Sequence, residues 1–197
     1  MRKTYFDYYG KYAAETPDKV LLRIDENTLT YQEFMEMTAR LGSGMQKLGI
    51  KPNDKVGIIM PNSIEWYLVY WAAIRIGAQP VPMDPQSGSL ELSRLIPATT
   101  VKICFLAERY RNNRIIDAVS ALVPGQLSQD KCICFAPQEA LPADPVFITE
   151  NTFLRDYCGM ECAPFTPEPE HTMSLACTSG STGTPKLLAV PYEGFLI

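Results

Sequence analysis

The sequence predicts an α/β protein organised on a parallel sheet, and three features lead there. Strand-length apolar runs alternate with stretches of helical spacing between Lys55 and Phe135. The run Lys55 to Met60 has the short, glycine-containing, apolar look of a strand buried on both faces. Strand and helix in strict succession imply βαβ units with right-handed crossovers, and ligands of such sheets bind beyond the carboxyl ends of the strands.

In chain order, Thr4 to Thr16 reads as an amphipathic helix stopped by Pro17, and Val20 to Ile24 as a strand before the turn Asp25-Glu26-Asn27. Thr30 followed by Glu33 is a capping box. Phe34, Met37, Leu41, Met45 and Leu48 then recur at helical spacing until Gly49 ends the helix. The strand Lys55 to Met60 is ended by Pro61 and Asn62. Asn62 with Glu65 opens a helix over Ser63 to Ile76, apolar nearly all round and capped by Gly77. A strand at Pro80 to Met83, a helix near Leu90 to Ile96, a strand at Lys102 to Leu106, a helix near Asn113 to Leu122 and a strand at Lys131 to Phe135 continue the alternation. From Pro137 to Pro169 repeated prolines break any long element, so an irregular surface connection is expected, with at most a short helix near Asn151 to Tyr157.

With 197 residues, 46% hydrophobic and 20% charged, the chain is suited to one domain with a good core or to part of a larger one. A formal charge of -4 gives no general attraction for nucleic acid or anionic membrane, so any anion site must be local. The longest apolar stretches, such as Trp66 to Ile74, fall far short of the ~20 residues of a membrane span. The N-terminus, Met1-Arg2-Lys3-Thr4-Tyr5-Phe6-Asp7, does not read as a secretory signal, and a cytoplasmic location is the default expectation. Of the cysteines, Cys132 and Cys134 alternate as strand residues do, Cys158 and Cys162 lack a second pair at zinc spacing, and the one histidine, His171, adds no ligand set. Reduced, packed thiols are expected at Cys104, Cys132, Cys134, Cys158, Cys162 and Cys177, and His171 is expected at the surface or at an edge.

Near the end, Thr178-Ser179-Gly180-Ser181-Thr182-Gly183-Thr184-Pro185-Lys186 lies between the apolar runs Met173 to Cys177 and Leu187 to Val190, giving a strand, a glycine-rich hydroxyl loop and a second strand. Such a run offers backbone N–H groups, hydroxyl donors and one lysine, the equipment for gripping phosphate. Gly180 and Gly183 allow close approach of the backbone to a ligand, while Pro185 stiffens the exit toward Lys186. A Walker loop needs four residues between its glycines and a helix directly afterwards. Here two residues separate the glycines and a β-like segment follows, so the Walker reading fails. A solvated Ser/Gly hairpin is the plain alternative.

Every position from Thr178 to Lys186 fits the signature of the adenylate-forming superfamily, which this run resembles: acyl-CoA synthetases, adenylation domains of nonribosomal peptide synthetases, and luciferases. Leu29-Thr30-Tyr31-Gln32-Glu33-Phe34, Asn53 to Ile58, Pro61-Asn62-Ser63 and Ile76 to Pro85 are similar to the family's earlier elements, in the family's order. The resemblance implies the family's large N-terminal domain, here residues 1–197 as its first part, without the small C-terminal domain and its catalytic lysine. It implies that Thr178, Ser179, Gly180, Ser181, Thr182, Gly183 and Lys186 hold the β- and γ-phosphates of ATP while a carboxylic acid becomes an acyl-adenylate. No catalytic residue and no metal ligand is assigned within the chain. Magnesium and coenzyme A are cofactors of the complete enzyme, and the 197 residues alone are expected to be inactive.

Leu187 to Tyr192 depart from the family's usual continuation after Lys186. Tyr192 stands where many acyl-CoA synthetases have a histidine gating the acyl tunnel. An aromatic ring there fills space but cannot act as an imidazole, and the resemblance also allows Tyr192 to be the first residue of a buried helix. The expected function is that of an AMP-forming acid:thiol ligase, an acyl-CoA synthetase of fatty-acid type. An amino-acid adenylation domain and a non-catalytic nucleotide-binding module are the alternatives.

Overall fold

A computed structural model of the chain describes residues 4–122, 131–135, 137, 141, 147–159, 162–168, 170–178 and 186–192. Its elements begin with α1 (Tyr5–Glu15), β1 (Val20–Ile24), β2 (Asn27–Thr30) and α2 (Tyr31–Lys47). An alternating series follows: β3 (Lys55–Ile59), α3 (Ile64–Arg75), β4 (Gln79–Pro82), α4 (Ser89–Thr99), β5 (Ile103–Ala107), α5 (Ile115–Ser120) and β6 (Cys132–Phe135). The chain continues through β7 (Ile148–Thr149), α6 (Glu150–Asp156), β8 (Thr172–Thr178) and β9 (Lys186–Pro191).

Five strands form one sheet in the order β4-β3-β5-β6-β7, parallel throughout. Side chains divide between its faces with period two. Val56, Ile58, Ile103, Phe105, Ile133 and Phe135 enter a core closed by α1, α2, α3 and α6. Ile59, Cys104, Leu106, Cys132 and Cys134 enter a second core, closed by α4 and α5. Both faces are therefore buried, which is why these strands read as continuous apolar runs. Close approach across the sheet has one tight point. A Cβ on Gly57 would sit 2.7 Å from Cys104 Sγ on the adjacent strand.

Local signals set the helix boundaries. Thr4 and Thr30 each complete a capping box, with Asp7 and Glu33 respectively. The cap of α3 is Ser63, whose hydroxyl accepts from the Trp66 N–H at 3.1 Å, one residue beyond the expected Asn62. The expected α4 extends past Pro97 to Thr99, and β2 pairs with β1 as an antiparallel hairpin that sequence periodicity did not reveal.

The Pro137 to Pro169 passage, expected to be a surface connection, is built into the core where it is described. Ile148 pairs with Ile133, so β7 extends the sheet, and Phe153 of α6 is fully buried against Phe105 at 5.5 Å. Farther on, the Arg75 guanidinium donates from Nε to the Cys162 carbonyl at 2.7 Å and lies 4.9 Å from the Phe6 ring. The Phe165 N–H donates to the Arg75 carbonyl at 2.7 Å. Gly77 has φ 75°, and a Cβ there would meet the Phe165 ring at 2.6 Å. Residues 162–168, which form neither helix nor strand, are thus anchored on the C-terminal end of α3 through Cys162 and Phe165, a docking that composition does not encode.

Gly57→Ala is expected to destabilise the protein by about 1–3 kcal/mol in urea unfolding. Combined with Cys104→Ala, which removes the clashing sulfur, the loss should be smaller than the sum of the single losses. Thr30→Ala should cost about 1 kcal/mol without changing the fold.

Candidate functional site

The second strand expected after the glycine-rich run is present. β8 and β9 pair antiparallel from Thr172↔Pro191 to Thr178↔Lys186. Thr178 and Lys186 are therefore the terminal pair of a hairpin, and the run between them closes it. Ser179, Gly180, Ser181, Thr182 and Gly183 lie outside the described residues, with Thr184 and Pro185. Lys186 is exposed at the start of β9.

Several contacts place this hairpin. β8 lies beside β4, at the edge of the parallel sheet. Met173 enters the first core, whereas Leu175 enters the second. Ser174 is 4% exposed. At the far end Tyr192 is 6% exposed. Its hydroxyl oxygen accepts from the Tyr5 N–H at 3.2 Å, its ring meets the Tyr5 ring edge-on at 5.0 Å, and its own N–H donates to the His171 carbonyl at 3.0 Å. The Tyr192 ring is thus packed against the first helix. Any helix beginning there would run through residues outside those described.

His171, expected at a surface or edge, is half-buried between the Phe165 ring at 5.1 Å and the Tyr192 ring at 6.5 Å. Burial lowers its pKa from the ordinary value of 6.5. Burial also raises the Tyr192 hydroxyl and pushes Tyr5 up to about 12, so both phenols are neutral hydrogen-bonding groups at physiological pH. The six cysteines are free thiols. Burial raises Cys104 well above the ordinary thiol value, Cys134 to about 12 and Cys158 to about 11, which keeps them protonated and inert. Among the described residues no three His, Cys, Asp or Glu side chains gather as a metal site.

A second concavity lies where strand order alone would put a ligand. The chain leaves β3 through α3 on one face of the sheet and leaves the adjacent β5 through α5 on the other, so connections part between these two strands. There Met60, Pro61, Ser63, Glu65, Ala107, Glu108, Arg109 and Phe135 line a crevice of about 190 Å³. Met60 and Pro61 also border a neighbouring depression of about 310 Å³ reaching Asp84, Gln86 and Tyr110. Sequence reading missed these residues, because only the strand order brings the ends of β3 and β5 together. Tyr5 escaped it for a similar reason: a tyrosine in an apolar helix reads as core.

A parallel sheet covered on both faces thus carries the β8–β9 hairpin beside its β4 edge. The chain belongs to the AMP-binding enzyme family, whose profile matches residues 10–196. It is 26% identical over 195 residues to tyrocidine synthase 3 of Brevibacillus parabrevis, covering 98% of this chain and 3% of that protein. It is 25% identical over 196 residues to the medium-chain fatty-acid–CoA ligase of Escherichia coli (strain K12), covering 96% of this chain and 33% of the ligase. The crystal structure of the anthranilate CoA ligase AuaEII in complex with anthranoyl-AMP superposes with a TM-score of 0.81 at 16% identity, over 97% of this chain and 35% of that one. The fold is that of the N-terminal domain of adenylate-forming enzymes. The chain spans a third or less of the length of these relatives.

The single histidine allows a clean pH test. A lowered folded pKa means the unfolded chain binds the proton more tightly, so stability is full above about 6.5 and falls as pH drops through the folded value. Chemical denaturation from pH 7.5 to 5 should show this decline, and His171→Gln should remove its contribution. An imidazole NMR titration midpoint at or above 6.5 would contradict the assignment.

Proposed function

We propose that this chain is the N-terminal part of the large domain of an AMP-forming acid:thiol ligase, and that Thr178, Ser179, Gly180, Ser181, Thr182, Gly183 and Lys186 hold the β- and γ-phosphates of ATP. The observation that carries the reading is the hairpin register: pairing of Thr178 with Lys186 brings the two ends of the hydroxyl- and glycine-rich run together, with a cation at one of them. The donor set suits an anion, since the run contains no carboxylate.

In the proposed reaction a carboxylate oxygen of the acid attacks the α-phosphorus of ATP, the bond to the bridging oxygen breaks, and the electron pair leaves with pyrophosphate. The chain's contribution is to bind and orient that leaving group. Backbone N–H and hydroxyl donors meet its oxygens, and Lys186 adds a charge-assisted hydrogen bond. Magnesium, when bound to the nucleotide, would offset charge developing on the leaving oxygens. Tyr192 has the gate position of the acyl tunnel in this reading, and its packing against Tyr5 makes it a wall more than a swinging door.

The acceptor thiol is that of coenzyme A in the reading we favour, with a fatty-type acid and a cytoplasmic setting, supported by likeness to the Escherichia coli ligase over 96% of this chain. The similar likeness to tyrocidine synthase 3 supports an amino-acid adenylation domain as the second reading. ATP–pyrophosphate isotope exchange across a panel of fatty, aryl and amino acids tests both. Exchange should depend on one class of acid in the whole protein and be absent from the 197 residues alone. Lys186→Ala should lower kcat/KM for ATP by about 10- to 100-fold, the ~1.5–3 kcal/mol of a hydrogen bond to a charged group. Exchange unaffected by that substitution would overturn the assignment.

A further inference from the structure

β9 has little hold on the core. Leu188 is 55% exposed, Lys186, Ala189 and Pro191 are also exposed, and only Leu187 and Val190 are half-buried. Its placement depends on its pairing with β8 and on what fixes the ends of the hairpin. Two contacts outside the loop's own motif fasten the far end of β9.

The first fastening joins α1 to the end of β9. Tyr5 opens α1, where the N–H groups of the first turn have no partner within the helix. The Thr4 hydroxyl accepts from the Asp7 N–H at 3.2 Å, and the Tyr192 hydroxyl oxygen accepts from the Tyr5 N–H at 3.2 Å. The residue after β9 thus completes the cap of a helix 187 positions earlier. A longer contact, Tyr5 Oη to the Tyr192 carbonyl at 3.5 Å, and the edge-on ring pair reinforce it. The second fastening is Trp71 of α3, whose ring meets the Tyr5 ring edge-on at 5.3 Å and so braces Tyr5 from the other helix.

We propose that Tyr5 is a positioning residue for the phosphate loop, acting through Tyr192 on β9. The functional consequence rests on the phosphate-loop reading, whereas the clasp itself rests on the contacts above. With the Tyr192 end of β9 fixed to α1, which packs on α2, the strand that carries Lys186 is held in place before a ligand arrives. The first helix then belongs to the site although none of its residues lies in the motif.

Amide hydrogen exchange on the whole chain tests the clasp. Tyr192→Phe keeps the ring and removes the acceptor for the Tyr5 N–H. Exchange at residues 187–190 and 192 should accelerate about fivefold, the counterpart of one net hydrogen bond. Amides of β3 and β5 should be unchanged. Wild-type exchange in the hairpin, or acceleration throughout the protein, would overturn the proposal. Calorimetry with magnesium pyrophosphate supplies the second readout, and affinity should fall in step with the loss of protection. Faster hairpin exchange with unaltered pyrophosphate affinity would refute the positioning role. No pyrophosphate binding by the unaltered chain, with the exchange pattern as expected, would count against the phosphate reading and leave the clasp standing.

Discussion

Burial of the parallel sheet on both faces is the constraint on which the rest of the structure depends. Val56 and Ile58 point to one core, Ile59 to the other, and the same alternation holds along β5 and β6. At roughly 25 cal/mol per Å2 of apolar surface, two covered faces are the main source of stability available to strands of this length. The geometry leaves little freedom. The Cys104 sulfur fills the space a side chain at Gly57 would need, cysteines serve as small apolar fillers at Cys104, Cys132 and Cys134, and each helix must return across a defined face.

The sheet edge at β4 then determines where the glycine-rich run can stand. β8 continues the burial beside β4, while β9 is mostly exposed and takes its position from β8 and from the aromatic cluster of α1 and α3. The run between Thr178 and Lys186 is therefore flanked by two paired strands, unlike a strand-to-helix turn in which the helix dipole assists an anion. In the proposed reading its N–H groups, its hydroxyls and Lys186 would supply the donors, in keeping with the density of Ser, Thr and Gly between Thr178 and Pro185.

Much of this was legible in the sequence because the signals were local. The Thr30–Glu33 capping box, the apolar periodicity through Leu48, the buried-strand runs and the hydroxyl-glycine motif each sit within a few residues of one another. What escaped was set by contacts between distant segments. The short β7 depends on register with β6, and the docking of residues 162–168 depends on Arg75 and Gly77. The crevice between the ends of β3 and β5 exists only because the strand order reverses there. Tyr192 was identified by position in a motif, but its neighbours Tyr5 and His171 could not be, since nothing in composition ties residue 5 to residue 192.

The sheet rule and the sequence motif point to different places on the molecule, the crevice and the hairpin. Backbone chemical-shift mapping with magnesium pyrophosphate decides between them most directly. The account predicts that the largest shifts fall on Thr178, Lys186 and the residues joining them. Shifts concentrated on Ser63, Glu65, Glu108 and Arg109, with the hairpin unmoved, would contradict it.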